Sequence, residues 1–305
     1  MSTMNKWLIA AGILIVTGVL ICLAALKFLN FNFIDLGKSM NTVEYKTETF
    51  EVDEAFKNID ISAVNNDVKL LPAEDNKCKV VIVDFEDASH SVNVDNGTLM
   101  IEAKAPDKKT SFLGINTVSP SITIYLPGSE FADFTVNSAT GDVTIPKDFA
   151  FNNVNIASTT CDVSISAAVK EQLIIGVTTG DIDLINASAG ETNLSATTGD
   201  VNSSSFKCAG NVVINLITGD VNLEKTVIDG ILQINITTGD IEFKGSDADT
   251  INAKTNTGSI KGNLLTDKNF TAASKIGDVE VPASSGENKC ELTTNVGDIK
   301  IEIGE

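Results

Sequence analysis

The sequence predicts an all-β fold, a parallel β-solenoid (single-stranded β-helix) of about nine regular 19–20-residue coils, with irregular coils and one transmembrane helix before it. Three observations carry this reading. A Gly-Asp signature returns at a fixed period, apolar β-branched residues alternate on either side of it, and an uncharged run stands near the N-terminus.

Residues 1–6 form a short tail. From 7 to 26 the chain carries no charge, which is long enough to cross a hydrocarbon core of about 30 Å as a helix. Trp7, the only tryptophan, stands where an interfacial anchor belongs. Leu23-Ala24-Ala25-Leu26 offers no clean cleavage pattern, so the span reads as an uncleaved anchor. Ile21 spoils a lipobox at Cys22, which reads as a packed helix residue. Residues 27–44 read as a stalk. Lysines flank the span on both sides and do not set its orientation; an acidic all-β body behind a single span is read as lying outside the cytoplasm.

Residues 45–135 read as irregular β coils capping the membrane-proximal end of the rod, as terminal repeats must. Ile59, Ile61, Asn66, Asp67, Val68 and Leu70 match the repeat template far upstream of the others, and Val92, Val94, Gly97, Leu99 and Ile101 match it loosely. Residues 79–85 and 122–127 are further strand-like runs. Residues 106–120 break the pattern and read as an exposed loop, the first place to look for a partner contact.

The regular solenoid is assigned to 136–305. Counted from the first corner residue, the repeats fall at Gly141, Cys161, Gly180, Gly199, Gly219, Gly239, Gly258, Gly277 and Gly297, with successive spacings of 20, 19, 19, 20, 20, 19, 19 and 20. Two places after each corner stands Val or Ile, and five before it stand Val136, Ile156, Ile175, Leu194, Ile214, Ile234, Ala253, Ala272 and Leu292. A period of two on both sides means two short strands, each with one buried face, meeting at a corner. Glycine there supplies a positive φ or close backbone approach, although Cys161 shows that the need is not absolute. Such a unit cannot bury its own apolar face, so the repeats must stack. A propeller or sandwich would need longer units with tight antiparallel hairpins.

Composition narrows the function. Against 41 acidic residues stand 22 basic ones, every one a lysine, for a net charge of −19. That field repels phosphate backbones, and without arginine there is no bidentate fork for phosphate, so nucleic acid is excluded as a partner. A single histidine, His90, leaves no room for a Ser-His-Asp triad or a histidine-rich metal site, and it is expected to be solvated or partly packed. Cys78, Cys161, Cys208 and Cys290 sit too far apart in the repeat to pair comfortably. No catalytic residue and no cofactor is expected, because an active site breaks a repeat at one place whereas these carboxylates recur from coil to coil.

The strand Ile124-Tyr125-Leu126-Pro127, followed by serial Thr-Gly-Asp-Val/Ile coils behind a membrane segment, resembles a bacterial domain-of-unknown-function family of candidate adhesins that includes LiaG-like cell-envelope proteins. The similarity covers about residues 45–305. It implies a cell-surface β-solenoid, a link to envelope-stress systems, and no catalytic residues to carry over.

The expected function is therefore that of a membrane-anchored, surface-displayed, non-enzymatic binding or scaffold module whose partner is a protein or a cell-envelope ligand. An accessory or sensory component of an envelope-stress system is the alternative, and a polysaccharide-acting β-helix enzyme the third reading. The one conspicuous polar column is Asp142, Asp162, Asp181, Asp200, Asp220, Asp240, Asp278 and Asp298. Stacked about 4.8 Å apart, like charges repel by about 1 kcal/mol per pair even in water. Either each carboxylate accepts backbone N–H groups at its own corner, or the column is a cation ladder holding Ca²⁺ with help from hydroxyls such as Thr198 and Thr218.

Overall fold

A computed structural model describes residues 45–104, 119–284 and 286–304. The tail, the 7–26 span, the 27–44 stalk and residues 106–118 of the expected loop lie outside the described residues. Every regular element among the described residues is a β-strand, and none is a helix long and apolar enough to cross a membrane.

Each coil has two principal faces. On one, the strands Glu130–Thr140, Ala150–Thr160, Ala168–Thr179, Ser188–Thr198, Val212–Thr218 and Val227–Thr238 pair in parallel, and the column five before the corner runs in register through Val136, Ile156, Ile175, Leu194, Ile214 and Ile234. On the other, Val143, Val163, Ile182, Val201, Val221, Ile241 and Ile260 form the second column. Both columns are buried in one continuous core, in which Phe131 and Phe134 each pack against the ring of Phe151. The columns predicted from period-two alternation thus face inward.

The coil also turns at a second corner. Asn186, Ser205, Lys225 and Gly245 stack there in the left-handed region, with φ between 48° and 60°. The residue after each, Ala187, Phe206, Thr226 or Ser246, returns into the core. Because Asn, Ser, Lys and Gly share little beyond tolerance or forced adoption of positive φ, this corner has no sequence signature to match Gly-Asp.

The stacking order departs from chain order at both ends. The coil of Asn58–Ala63 and Asp67–Pro72 sits directly beneath the Gly141 coil, with Ile59 opposite Phe134, Ile61 opposite Val136 and Val68 opposite Val143. Outside it lie Thr98–Lys104 and Ser121–Leu126. Leu99 and Ile101 therefore occupy the pre-corner column, paired with Ile59 and Ile61, while Ile122 and Ile124 supply the post-corner one. This corrects the loose match that put Leu99 and Ile101 after a Gly97 corner: Gly97 instead turns an antiparallel hairpin onto Ser89–Asp95. The antiparallel strands Cys78–Phe85 and Tyr45–Val52 close the second face. At the far end, the Gly297 coil inserts between the Gly258 and Gly277 coils. Eight of the nine repeats enclose core on both faces. The Gly277 coil is left at the open end, with Phe270 and Ala272 half-buried and Val279 exposed, so the count of nine closed coils is reduced to about eight.

Candidate functional site

All eight predicted aspartates fall in one unbroken column, with Asp67 added below and Ser259 filling the gap. The backbone N–H of each corner aspartate donates to Oδ1 of the aspartate on the coil beneath: Asp142 to Asp67, Asp162 to Asp142, Asp181 to Asp162, Asp200 to Asp181, Asp220 to Asp200 and Asp240 to Asp220, at 2.7–3.0 Å. Ser259 N–H donates to Asp240, Asp298 N–H to the Ser259 hydroxyl, and Asp278 N–H to Asp298, which carries the ladder through the exchanged coils. The expectation of bonding at each residue's own corner is thereby corrected, since the acceptor serves the next coil.

The backbone explains why. At the Gly219 corner, Gly219 N–H donates to Thr238 O and Val221 N–H to Asp240 O, both toward the following coil. The peptide between them points its N–H the opposite way, toward a coil whose Thr198 and Asp200 carbonyls already accept from Gly180 and Ile182. A buried or half-buried N–H without an acceptor costs about 1–3 kcal/mol, and a short carboxylate reaching up from below supplies the missing oxygen. A charged acceptor roughly doubles the strength of such a bond, which offsets the repulsion along the column. Among the described residues no group of three or more His, Cys, Asp or Glu side chains is arranged to hold a metal ion.

Beside this ladder the pre-corner face carries a shallow groove of about 480 Å³. Polar side chains alternate along its floor with apolar ones such as Val177, Leu216 and Ile236. Asn235 Nδ2 donates to Asn215 Oδ1 at 3.0 Å, and Ser195, Thr197, Thr237 and Lys254 line the same strip, with Ile217 among them 53% exposed. Thr255, between the lining residues Lys254 and Asn256, is buried and donates to Gly239 O.

The sequence reading missed the polar cluster around His90. His90, expected to be solvated or partly packed, has a side chain with no exposure, its Nδ1 2.5 Å from Glu48 Oε2 and its Nε2 2.9 Å from Asp84 Oδ2. Asn66, at the glycine position of the lowest template coil, donates to the same Asp84 oxygen. The His90 hydrogen bond holds the Glu48 carboxyl below its usual range against an opposing effect of burial, while burial, reinforced by Asp84, raises the Tyr45 hydroxyl. A signal was available, for Asp84 continues the inward register of Cys78, Val80 and Ile82. Among the described residues Cys78, Cys161, Cys208 and Cys290 are free and buried.

These features define a class of protein: a parallel β-solenoid of Gly-Asp coils closed at its N-terminal end by antiparallel strands. The model of the Toastrack DUF4097 family matches residues 56–302, and the chain belongs to that family. No curated protein gives a significant match. Among solved structures, a candidate lipid-binding protein from Parabacteroides distasonis is 16% identical, with a TM-score of 0.50 over 84% of this chain and 97% of that one. Candidate adhesins from Bacteroides fragilis (19% identity, TM-score 0.47, 85% and 97% covered) and Parabacteroides merdae (13%, 0.45, 86% and 97%) are similar as well. At 16% identity the Parabacteroides distasonis likeness speaks to the fold alone.

Proposed function

We propose that this chain is a membrane-anchored, surface-displayed binding module, a non-enzymatic adhesin-like solenoid carried by the 7–26 span, with its ligand lying along the pre-corner groove. One observation supports it above the others: polar side chains recur from coil to coil, through Ser195, Asn215, Asn235 and Lys254 in one column and Thr197, Thr237 and Asn256 in the strip beside it, with no clustered acid, base or nucleophile among them of the kind a reacting centre needs. Periodic donors and acceptors suit an extended cell-envelope ligand that presents hydrogen-bonding groups at many points. The test has two arms. Protease added to intact cells should remove material carrying residues 45–305 and leave an N-terminal membrane fragment; full protection until lysis would end the surface-display reading. The full chain should be retained on isolated cell-envelope fractions, and Asn215→Ala with Asn235→Ala should reduce retention several-fold; unchanged retention would move the site off the groove.

A further inference from the structure

Lys268 is out of place. After the second corner an inward column runs through Val169, Ala189, Cys208, Ile228 and Ala248, each paired to the next. Twenty residues after Ala248 comes Lys268, 1% exposed. Its Nζ donates to Ala248 O at 2.7 Å and stands 2.5 Å from Asp247 Oδ1. Asp247 is itself buried at 8% exposure. Its Oδ1 also accepts the Ala248 N–H at 2.8 Å, and its Oδ2 accepts the Thr266 hydroxyl at 2.6 Å. The buried Cys290 thiol feels both charges.

A buried ion pair of this kind is expensive, because desolvation of two charges competes with their attraction. Here the amine is aimed by one carbonyl, and both carboxyl oxygens are held by donors that would equally hold a tetrahedral adduct. We propose that Lys268 and Asp247 condense to an intramolecular isopeptide bond, tying the strand Ile241–Thr257 to the segment that leads into the outermost coil. Proton transfer from Nζ to Oδ1 gives a neutral amine and a neutral acid. The Nζ lone pair adds to Cγ, and the charge developing on Oδ2 is met by the Thr266 hydroxyl. The nitrogen passes a second proton to Oδ1, which leaves as water. One N–C bond forms, one C–O bond breaks, one water is released, and no oxidant or reductant is consumed. Fixed proximity supplies the entropy that a bimolecular amidation lacks, and a neutral amide replaces two buried charges.

The experiment is mass spectrometry of the full-length protein after denaturation and trypsin digestion. A branched product is expected in which peptide 245–254 is joined to 262–275, lighter than the two together by one water and uncut at Lys268, whose amine is no longer free. Lys268→Arg keeps the positive charge and should give no branched product. Recovery of free 245–254 and of 262–268 cut after Lys268 would overturn the proposal. So would loss of water from 245–254 without a branch, which would instead mark a succinimide at Asp247-Ala248.

Discussion

The Gly219 corner offers the sharpest test of how the coils are held together. Gly219 has φ of +144°, and a Cβ added there falls inside the van der Waals envelope of Gly199 O and 2.7 Å from Gly199 C. In Gly219→Ala two costs add. Holding alanine at that φ costs about 1–3 kcal/mol. Relieving the collision means lifting one coil off the other, which stretches the bonds from Asp220 N–H to Asp200 Oδ1, from Gly199 N–H to Thr218 O and from Val201 N–H to Asp220 O. At about 1 kcal/mol for each, the total is about 4–6 kcal/mol, a large share of the roughly 5–15 kcal/mol by which domains are stable. Gly97 is the control, with φ of +77° and nothing within 4 Å of a new Cβ, so Gly97→Ala should cost only about 1–2 kcal/mol. Urea unfolding followed by far-ultraviolet circular dichroism reads both. Equal midpoints for the two variants would refute the argument that inter-coil approach, and not φ alone, demands glycine.

Four further outcomes are expected. Val221→Asp or Ile241→Asp places a carboxylate at a site with no exposure and should lower stability by several kcal/mol; melting like the parent would show that the post-corner column does not face inward. Asp200→Asn keeps an Oδ1 acceptor for Asp220 N–H and gives up the charge-assisted strength of that bond together with the repulsion it offsets, so its melting temperature should stay close to the parent's at low salt, while Asp200→Ala falls; millimolar Ca²⁺ should act no differently from Na⁺ of equal ionic strength. Glu48 is held below its usual 4.5 chiefly by the His90 hydrogen bond, so its stabilising effect is complete above about pH 4.5 and is lost as pH falls through the folded value; Glu48→Gln should flatten that part of the acid limb, seen in unfolding midpoints against pH. Burial pushes the Cys78 and Cys161 thiols up to about 11 and Cys290 up to about 12, so a thiol reagent at neutral pH should label them only as fast as the fold opens.

How much of the fold the sequence discloses follows from what a repeat can encode. The inward columns were legible because alternation of apolar residues has only one physical cause in a strand, burial of one face. Val136 through Ile234 and Val143 through Ile260 could be placed without coordinates. Stacking order was not legible. The Gly277 and Gly297 coils carry the same corner residues as their neighbours, Gly-Asp followed by Val279 or Ile299, and Leu292 fills its column as Leu194 does in the middle of the rod. Either coil could cap the rod as far as the columns are concerned. The difference between them is visible only in hindsight: the Gly277 coil fills its inner positions with Phe270 and Ala272 and follows with Val279-Glu280, a strand of two residues, which suits an open end better than an interior. The second corner escaped for a different reason. A left-handed residue is satisfied by Asn186, Ser205, Lys225 or Gly245, so a conformation was repeated where a residue type was not.

The polar column shows why a site can be located from sequence and still be misread. Eight aspartates at one register announce a shared task, but they do not say along which axis the task is performed. Within a turn, aspartate usually bonds its own chain a residue or two onward, and that habit suggested bonding at each corner. In a solenoid the nearest unsatisfied N–H lies one coil away, 19 or 20 residues along the chain, because the glycine before it has turned the intervening peptide against the direction of the ladder. Glycine and aspartate are then one device. The first allows adjacent corners to approach until no Cβ fits between them, and the second supplies the acceptor that this reversal removes. Ser259 bears this out within the same molecule: lacking a carboxylate, it still lends its hydroxyl to Asp298 N–H, at a longer 3.3 Å. A column that satisfies the backbone on every coil needs no ligand to account for its regularity, which is why the groove beside it, whose amides and hydroxyls face solvent, is the better candidate for binding.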